Sequence, residues 1–319
     1  MRWMDSAYLS VARRARPFDQ GWGDPDLLTQ GATDAVPTEP LAPIRPRWGR
    51  ASTSRRARVR DGTYDAPDPD LPVGARTGRI RELRPASVPR GTVLVMASWG
   101  EEGFKGRTRL FGPLTAAGLA LWLVEHPFFG TRRREGQTSA MPRRVSDVVL
   151  MGRAMVGEAR GLLAGLRDDG VERTAVAGFS MGGQMAAMVA ATAPWPLAVA
   201  ALSPPTSPAA VFIDGPLGRT FDLRGLGPDA ESRLDRVLRG LDVLALPRPV
   251  STAHAVVAGG RGDRIVTPAE VAAVARHWGI APRWFGSHGH VGAVVYGGRA
   301  LRSLVEEVLD GSAPGERAA

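Results

Sequence analysis

From Gly91 onward the chain alternates short apolar runs with longer stretches of helical period. The runs are Thr92 to Ala97, Leu119 to Glu125, Thr174 to Phe179, Leu197 to Leu202, Ala253 to Ala258 and Pro282 to Phe285. Each is strand-length and apolar on both faces, which predicts a mostly parallel sheet covered by helices on both sides. Between the second and third runs, Val148, Met151, Met155, Ala159, Leu162 and Leu166 recur at steps of three or four, the buried stripe of an amphipathic helix. The segment 203–250 interrupts the alternation with prolines and a polar helical piece from Asp229 to Leu238, and reads as a small cap or lid insertion. Residues 1–90 differ: they are rich in Pro and Arg and show little sustained period. They read as an N-terminal extension in which Ala57 to Tyr64 and Gly78 to Leu83 alternate like short edge strands, with Asp61-Gly62 as a turn. Residues 91–312 then form the main α/β domain, and 313–319 a flexible tail.

Within this pattern one junction carries chemistry. Gly178-Phe179-Ser180-Met181-Gly182 has the form G-x-S-x-G, in which glycines permit a sharp strand-to-helix turn that lifts the serine hydroxyl clear of the backbone. The motif alone is weak in a glycine-rich chain, but here an apolar strand leads in and the helix former Gly183 to Ala191 leads out. A serine placed there also sits at a helix N-terminus, where the dipole and free amides favour developing negative charge. Serine is a poor nucleophile at neutral pH and needs a base, usually histidine. Of the five histidines, His126 follows an early strand, His254 begins a buried-looking strand and His277 lies on the helix after Pro268. The nucleophile-elbow order is serine, acid, histidine, with the histidine in the loop after the last strand. This leaves His288 or His290, with His290, directly after Gly289, preferred.

The acid falls between them. Asp263 follows a strand and the turn Gly259-Gly260-Arg261-Gly262, and precedes a helix start with Thr267 as N-cap, Pro268 at the first position and Glu270 closing a capping box. Asp214 and Asp222 are weaker substitutes in the cap region. The oxyanion formed on acyl transfer needs two donors. These are expected from the amide of Met181, the residue after the nucleophile, and from the loop Ala97 to Gly103, where Trp99 is named, with Ser98 as the alternative. These features together predict an α/β-hydrolase fold.

Several separated motifs, in order, resemble the α/β-hydrolase-domain-containing protein 18 family. They are Gly21-Trp22-Gly23-Asp24-Pro25, Glu125-His126-Pro127-Phe128-Phe129-Gly130, Val145-Ser146-Asp147 followed by Met151-Gly152, Ser180-Met181-Gly182-Gly183, Asp263, and Gly289-His290. The resemblance implies a single-domain serine hydrolase with an N-terminal extension, a triad of Ser180, Asp263 and His290, and a role other than base for His288. It departs at Ser98-Trp99-Gly100-Glu101-Glu102, where the family has a Gly-Thr-Gly-Asp-His-like segment. The implied substrate is an ester or thioester, lipid-like in the broader reading. Acyl transfer to another acceptor, or a silent binding protein on the same fold, are the competing readings; product analysis with competing acceptors separates the first.

Composition narrows the remaining classes. The absence of cysteine excludes disulfides, thiolate metal sites and cysteine nucleophiles, and the serine mechanism requires no metal or organic cofactor. The net charge of +9 and pI near 11.1 suggest an anionic partner, yet Lys105 is the single lysine and the arginines are scattered among acidic residues. No aromatic-basic module accompanies them, so nucleic acid is not expected; contact of the first 90 residues with an anionic membrane is a separate expectation. No apolar run reaches the roughly 18 residues of a bilayer span, and the opening residues lack the order of a secretory signal, so a soluble, cytoplasmic protein is expected. The substrate is a small or lipid-like acyl compound, and oligomeric state is left open.

Overall fold

The computed structural model describes Asp5 and residues 17–30, 41–53, 57–218 and 223–311. Ten strands form one sheet: β1 (Arg47–Trp48), β2 (Ser52–Thr53), β3 (Arg58–Asp65), β4 (Thr77–Arg84), β5 (Gly91–Met96), β6 (Leu119–Val124), β7 (Thr174–Phe179), β8 (Ala198–Leu202), β9 (Ala255–Gly259) and β10 (Arg283–Trp284). Their order is β1-β3-β4-β6-β5-β7-β8-β9-β10, with β2 also paired to β3. Strands β5 to β10 run parallel, whereas β4 joins β6, and β3 joins β4, antiparallel. The alternating segments of the extension thus continue the sheet, but Asp61-Gly62 is not a turn: it lies within β3, opposite Arg81 and Ile80 of β4, and β1 and β2 flank β3 on its far side. The order reverses at β5, which has β6 on one side and β7 on the other. Chains leaving the C-terminal ends of β5 and β7 diverge there and open the crevice in which α/β sheets bind ligands.

The helices are α1 (Pro25–Leu28), α2 (Lys105–Phe111), α3 (Val145–Asp168), α4 (Met181–Thr192), α5 (Pro208–Phe212), α6 (Ala230–Arg239), α7 (Pro268–Trp278), α8 (His290–Tyr296) and α9 (Gly298–Asp310). Because successive strand side chains point to opposite faces, the central strands feed two cores. Leu94, Met96, Val176 and Val257 pack with α3, α4 and α7, while Val93, Val95, Ala175, Ala177 and Val256 pack with α2 and α9. This is the α/β architecture expected from the apolar runs. Among the described residues no helix is long and apolar enough to cross a membrane.

Two features exceed the sequence reading. Helix α3 is buried nearly all round, not only along its stripe, because the extension covers its outer side: the Ile44 N–H donates to the Gly161 carbonyl at 2.8 Å. A Cβ on Gly161 would stand 2.6 Å from Ile44 Cδ1, so glycine there makes the room. Arginines of the extension are also engaged in ion pairs: Arg45 with Asp168 and Asp169, Arg47 with Asp65, Arg81 with Asp61, and Arg60 with Glu82.

Candidate active site

Ser180 lies at the turn between β7 and α4 with φ 60° and ψ −126°, a conformation that L-residues rarely adopt and that costs about 1–3 kcal/mol. The surrounding glycines exist for space. A Cβ on Gly178 would stand 2.2 Å from the Gly182 carbonyl oxygen, and one on Gly182 would stand 2.7 Å from that of Met96 and 2.9 Å from that of Ala97. On the other side, a Cβ on Gly183 would meet the Leu202 carbonyl oxygen at 2.5 Å. The elbow is therefore wedged between the ends of β5 and β8, and the Ser180 N–H donates to the Leu202 carbonyl at 2.8 Å. Since the Gly182 neighbours are backbone atoms, Gly182→Ala is expected to lower stability by about 1–3 kcal/mol through overpacking. It should also slow reaction of Ser180 with a serine-directed phosphonate on the order of 100-fold through displacement of the hydroxyl. A thermal melt and a labelling time course check the two effects.

His290 opens α8 and reaches back to the elbow. Its Nε2 is 2.9 Å from Ser180 Oγ and its Nδ1 is 2.7 Å from Asp263 Oδ2. A carboxylate oxygen accepts, so Nδ1–H donates to Asp263; in that tautomer Nε2 is the acceptor and the serine hydroxyl donates to it. Asp263 and His290 are both buried, and the Phe179 ring packs on the imidazole at 4.7 Å between centroids. The Asp263 carboxylate is fully engaged: Oδ1 accepts from the amides of Ile265 and Val266 at 2.9 Å each, and Oδ2 also accepts from Ser203 Oγ at 3.2 Å. Ser203 was not singled out from sequence. Its one signal is a polar residue directly closing the apolar run of β8, and in the structure it is fully buried with φ 44°.

The other candidates are placed elsewhere. The backbone of His288 packs against Gly260 and Gly262, and its Nδ1 is buried with no hydrogen-bond partner among the described residues. His277 Nε2 is 2.9 Å from the Leu246 carbonyl, and His254 is exposed rather than buried, because β9 begins only at Ala255. Asp214 pairs with Arg239 at the surface, and Asp222 lies outside the described residues. His126 is fully buried, and its Nε2 accepts the Ala97 N–H at 3.1 Å. Burial, with the charges of Arg107 and Arg132, holds its pKa well below the usual histidine value, so it stays neutral. It anchors the loop that leaves β5.

That loop is braced further by Arg107, which donates to the Val95 and Gly103 carbonyls and pairs with Glu101. The Ser98 N–H is directed at Glu101 Oε2 at 3.3 Å and its Oγ at the Phe179 carbonyl at 2.9 Å. Ser98 is thus the more occupied of the two loop residues. Trp99 lies beside Ser180 in the wall of a cavity, its ring 4.7 Å from that of Phe212. Met181 borders the same cavity and, as the first residue of α4, has no intrahelical acceptor for its N–H.

The cavity has a volume of about 340 Å³ and opens onto Ser180 and His290. Its walls are mostly apolar: Met96, Met151, Met181 and Met185 from the sheet side and helices, and Pro205, Val211, Phe212 and Leu241 from the segment 203–250. Val294 and Val295 of α8 border it on the solvent side, where both are exposed. Among the described residues no group of His, Asp and Glu is arranged to hold a metal ion.

The family model described as alpha/beta hydrolase domain containing 18 matches residues 15–232. The chain belongs to that family. For this alpha/beta hydrolase domain containing 18 member, the matched span includes the elbow at Ser180 and ends before Asp263 and His290, whose assembly at the site rests on the geometry above. Solved structures show the fold. An acetyl xylan esterase from Paenibacillus sp. R4 superposes with a TM-score of 0.60 at 15% identity, over 93% of this chain and 98% of its own. Acetyl xylan esterase 1 from Thermoanaerobacterium sp. JW/SL YS485 gives 0.54 at 16% identity, over 93% and 98%. At such identities the likeness establishes an α/β-hydrolase fold.

Proposed function

We propose that the protein is a serine hydrolase that cleaves a carboxylic ester or thioester with an apolar acyl part through an acyl-enzyme on Ser180. The observation that carries this reading is the continuous chain Ser180–His290–Asp263, at 2.9 and 2.7 Å, opening onto an apolar cavity. In the mechanism, Ser180 Oγ attacks the acyl carbonyl while its proton passes to His290 Nε2. Asp263, held by two amides and Ser203, fixes the imidazole tautomer and stabilises the imidazolium. The amides of Met181 and Trp99 stabilise the oxyanion. His290 then returns the proton to the departing alkoxide or thiolate, and a water activated by the same nitrogen releases the acid.

The cavity favours an apolar acyl chain over a polar one, because its walls are mostly apolar and the polar groups among them, Ser98, Glu101, Arg107 and Gln184, already bond to the protein. Methionines, flexible and polarisable, adapt to an unbranched chain. The test is a series of p-nitrophenyl esters of increasing acyl length. We expect kcat/KM to rise beyond acetate and then to level as the cavity fills, with Val211→Trp reducing the rate for the longer esters roughly tenfold and leaving the acetate within about twofold. A preference for acetate in both proteins would contradict the apolar-acyl assignment, and no hydrolysis of any ester would contradict the hydrolase.

A further inference from the structure

Helix α8, which begins with the catalytic histidine, has no cap of its own. Its N-cap residue is Gly289, which offers no side-chain acceptor, and a helix of seven residues is too short to hold its first turn unaided. The missing acceptor comes from the far end of the chain. Asp5, only 2% exposed, accepts the His290 N–H on Oδ2 at 3.1 Å and the Val291 N–H on Oδ1 at 2.9 Å. Gly289 has φ −71° and ψ 175°, which any residue can adopt, so backbone conformation does not call for glycine. Space does: a Cβ there would stand 2.4 Å from Asp5 Oδ2. A Ser, Thr, Asp or Asn at 289, the ordinary local caps, would exclude the remote carboxylate.

We propose that Asp5 is a positioning residue for the His290 base, so that the N-terminal extension completes the active site. This rests on the serine-hydrolase reading above. Asp5 bonds to the backbone of His290 and not to its ring, and it acts through the histidine. The imidazole must satisfy two partners at once, Asp263 and Ser180, and its backbone is held by the bidentate carboxylate at the positive end of α8. Without Asp5 two amides, one of them buried, lose their acceptor. The first turn then frays, and a displacement of the base by about 1 Å costs on the order of 100-fold in rate. Val291 borders the acyl cavity, so the same clamp also sets one wall of it.

The test compares wild type with Asp5→Ala, Asp5→Asn and Ile44→Ala, the last loosening the extension where it crosses α3, away from the site. Three readouts are taken on the full chain: the second-order rate of fluorophosphonate labelling, hydrogen exchange of the His290 and Val291 amides, and kcat and KM for a short ester. For Asp5→Ala we expect labelling slower by about 100-fold, exchange of both amides faster at least tenfold, and a fall in kcat for a short ester with KM nearly unchanged. Asp5→Asn keeps one acceptor oxygen and should recover part of the labelling rate, which also serves if the alanine variant does not fold. Ile44→Ala should lower the melting temperature and leave labelling within about twofold of wild type. Wild-type labelling and exchange in a folded Asp5→Ala protein would overturn the proposal while leaving the hydrolase reading intact. Equal slowing in Ile44→Ala would also overturn it, by reducing the effect to general loosening. A wild type that does not label would remove the hydrolase reading and the positioning role together.

Discussion

Replacing Ser180 by alanine is expected to lower ester turnover by on the order of a million-fold, and His290→Ala by a similar factor, with the double variant no worse than either. The reason is that the two act as one unit. In the proposed mechanism the hydroxyl is a nucleophile only because Nε2, 2.9 Å away, takes its proton, and without the hydroxyl the imidazole forms no acyl-enzyme. Asp263→Asn should cost about 10⁴-fold. An amide in place of Oδ2 can donate to the ring, which favours the tautomer with the proton on Nε2 and removes the acceptor that Ser180 needs. It would also be less able to accept from the amides of Ile265 and Val266 and from Ser203. Steady-state rates on a good ester, with unchanged melting temperatures as the control for folding, check all three. A Ser180→Ala protein that retained even a tenth of wild-type turnover would mean that another group is the nucleophile.

The largest effect on stability should come from Arg132→Ala. This arginine is fully buried and ties together three parts of the chain. Its guanidinium pairs with both oxygens of Glu158 on α3, at 2.6 and 2.8 Å, and donates to the carbonyls of Ala75 in the extension and Glu125 after β6. Tyr64 of β3 adds a hydrogen bond to Glu158 Oε2 at 2.6 Å, and burial with that carboxylate pushes the phenol pKa well up. Removing the guanidinium leaves the buried Glu158 carboxylate with no counter-charge and only the Tyr64 hydroxyl to bond it, and takes a donor from two carbonyls, which costs about 3–5 kcal/mol. Replacing the whole pair with Arg132→Met and Glu158→Leu should cost much less, because no charge is then left unpaired. Urea melts of the single and double variants measure this, and a single variant as stable as the double would contradict it.

What the sequence made legible follows the range over which each feature acts. The elbow is local: strand, glycines, serine and helix are adjacent, so Gly178 to Gly183 could be read directly. The meeting of Asp263 and His290 beside Ser180 was legible because parallel strands deliver their following loops to the same edge of the sheet, so chain order stands in for spatial order. His290 could be preferred over His288 as the residue that opens α8. The features that were not legible are pairings between distant segments. Ser203 is brought to Asp263 by the adjacency of β8 and β9, and Ile44 is brought to Gly161 by the path of the extension. Nothing in the local pattern around Gly289 pointed to an acceptor 285 positions before the residue it caps. His126 was ambiguous for the same reason: only the tertiary contact with the Ala97 amide shows that it holds a loop.

The proposed mechanism requires Ser180 to be an activated nucleophile. Incubating the purified 319-residue chain with a fluorophosphonate and mapping the adduct by peptide mass spectrometry tests it without a known substrate. One adduct per chain is expected, on the peptide carrying Gly178 to Gly182 and at Ser180, absent from Ser180→Ala and much reduced in His290→Ala. An unmodified Ser180 in folded wild-type protein, or an adduct that persists in Ser180→Ala, would contradict it.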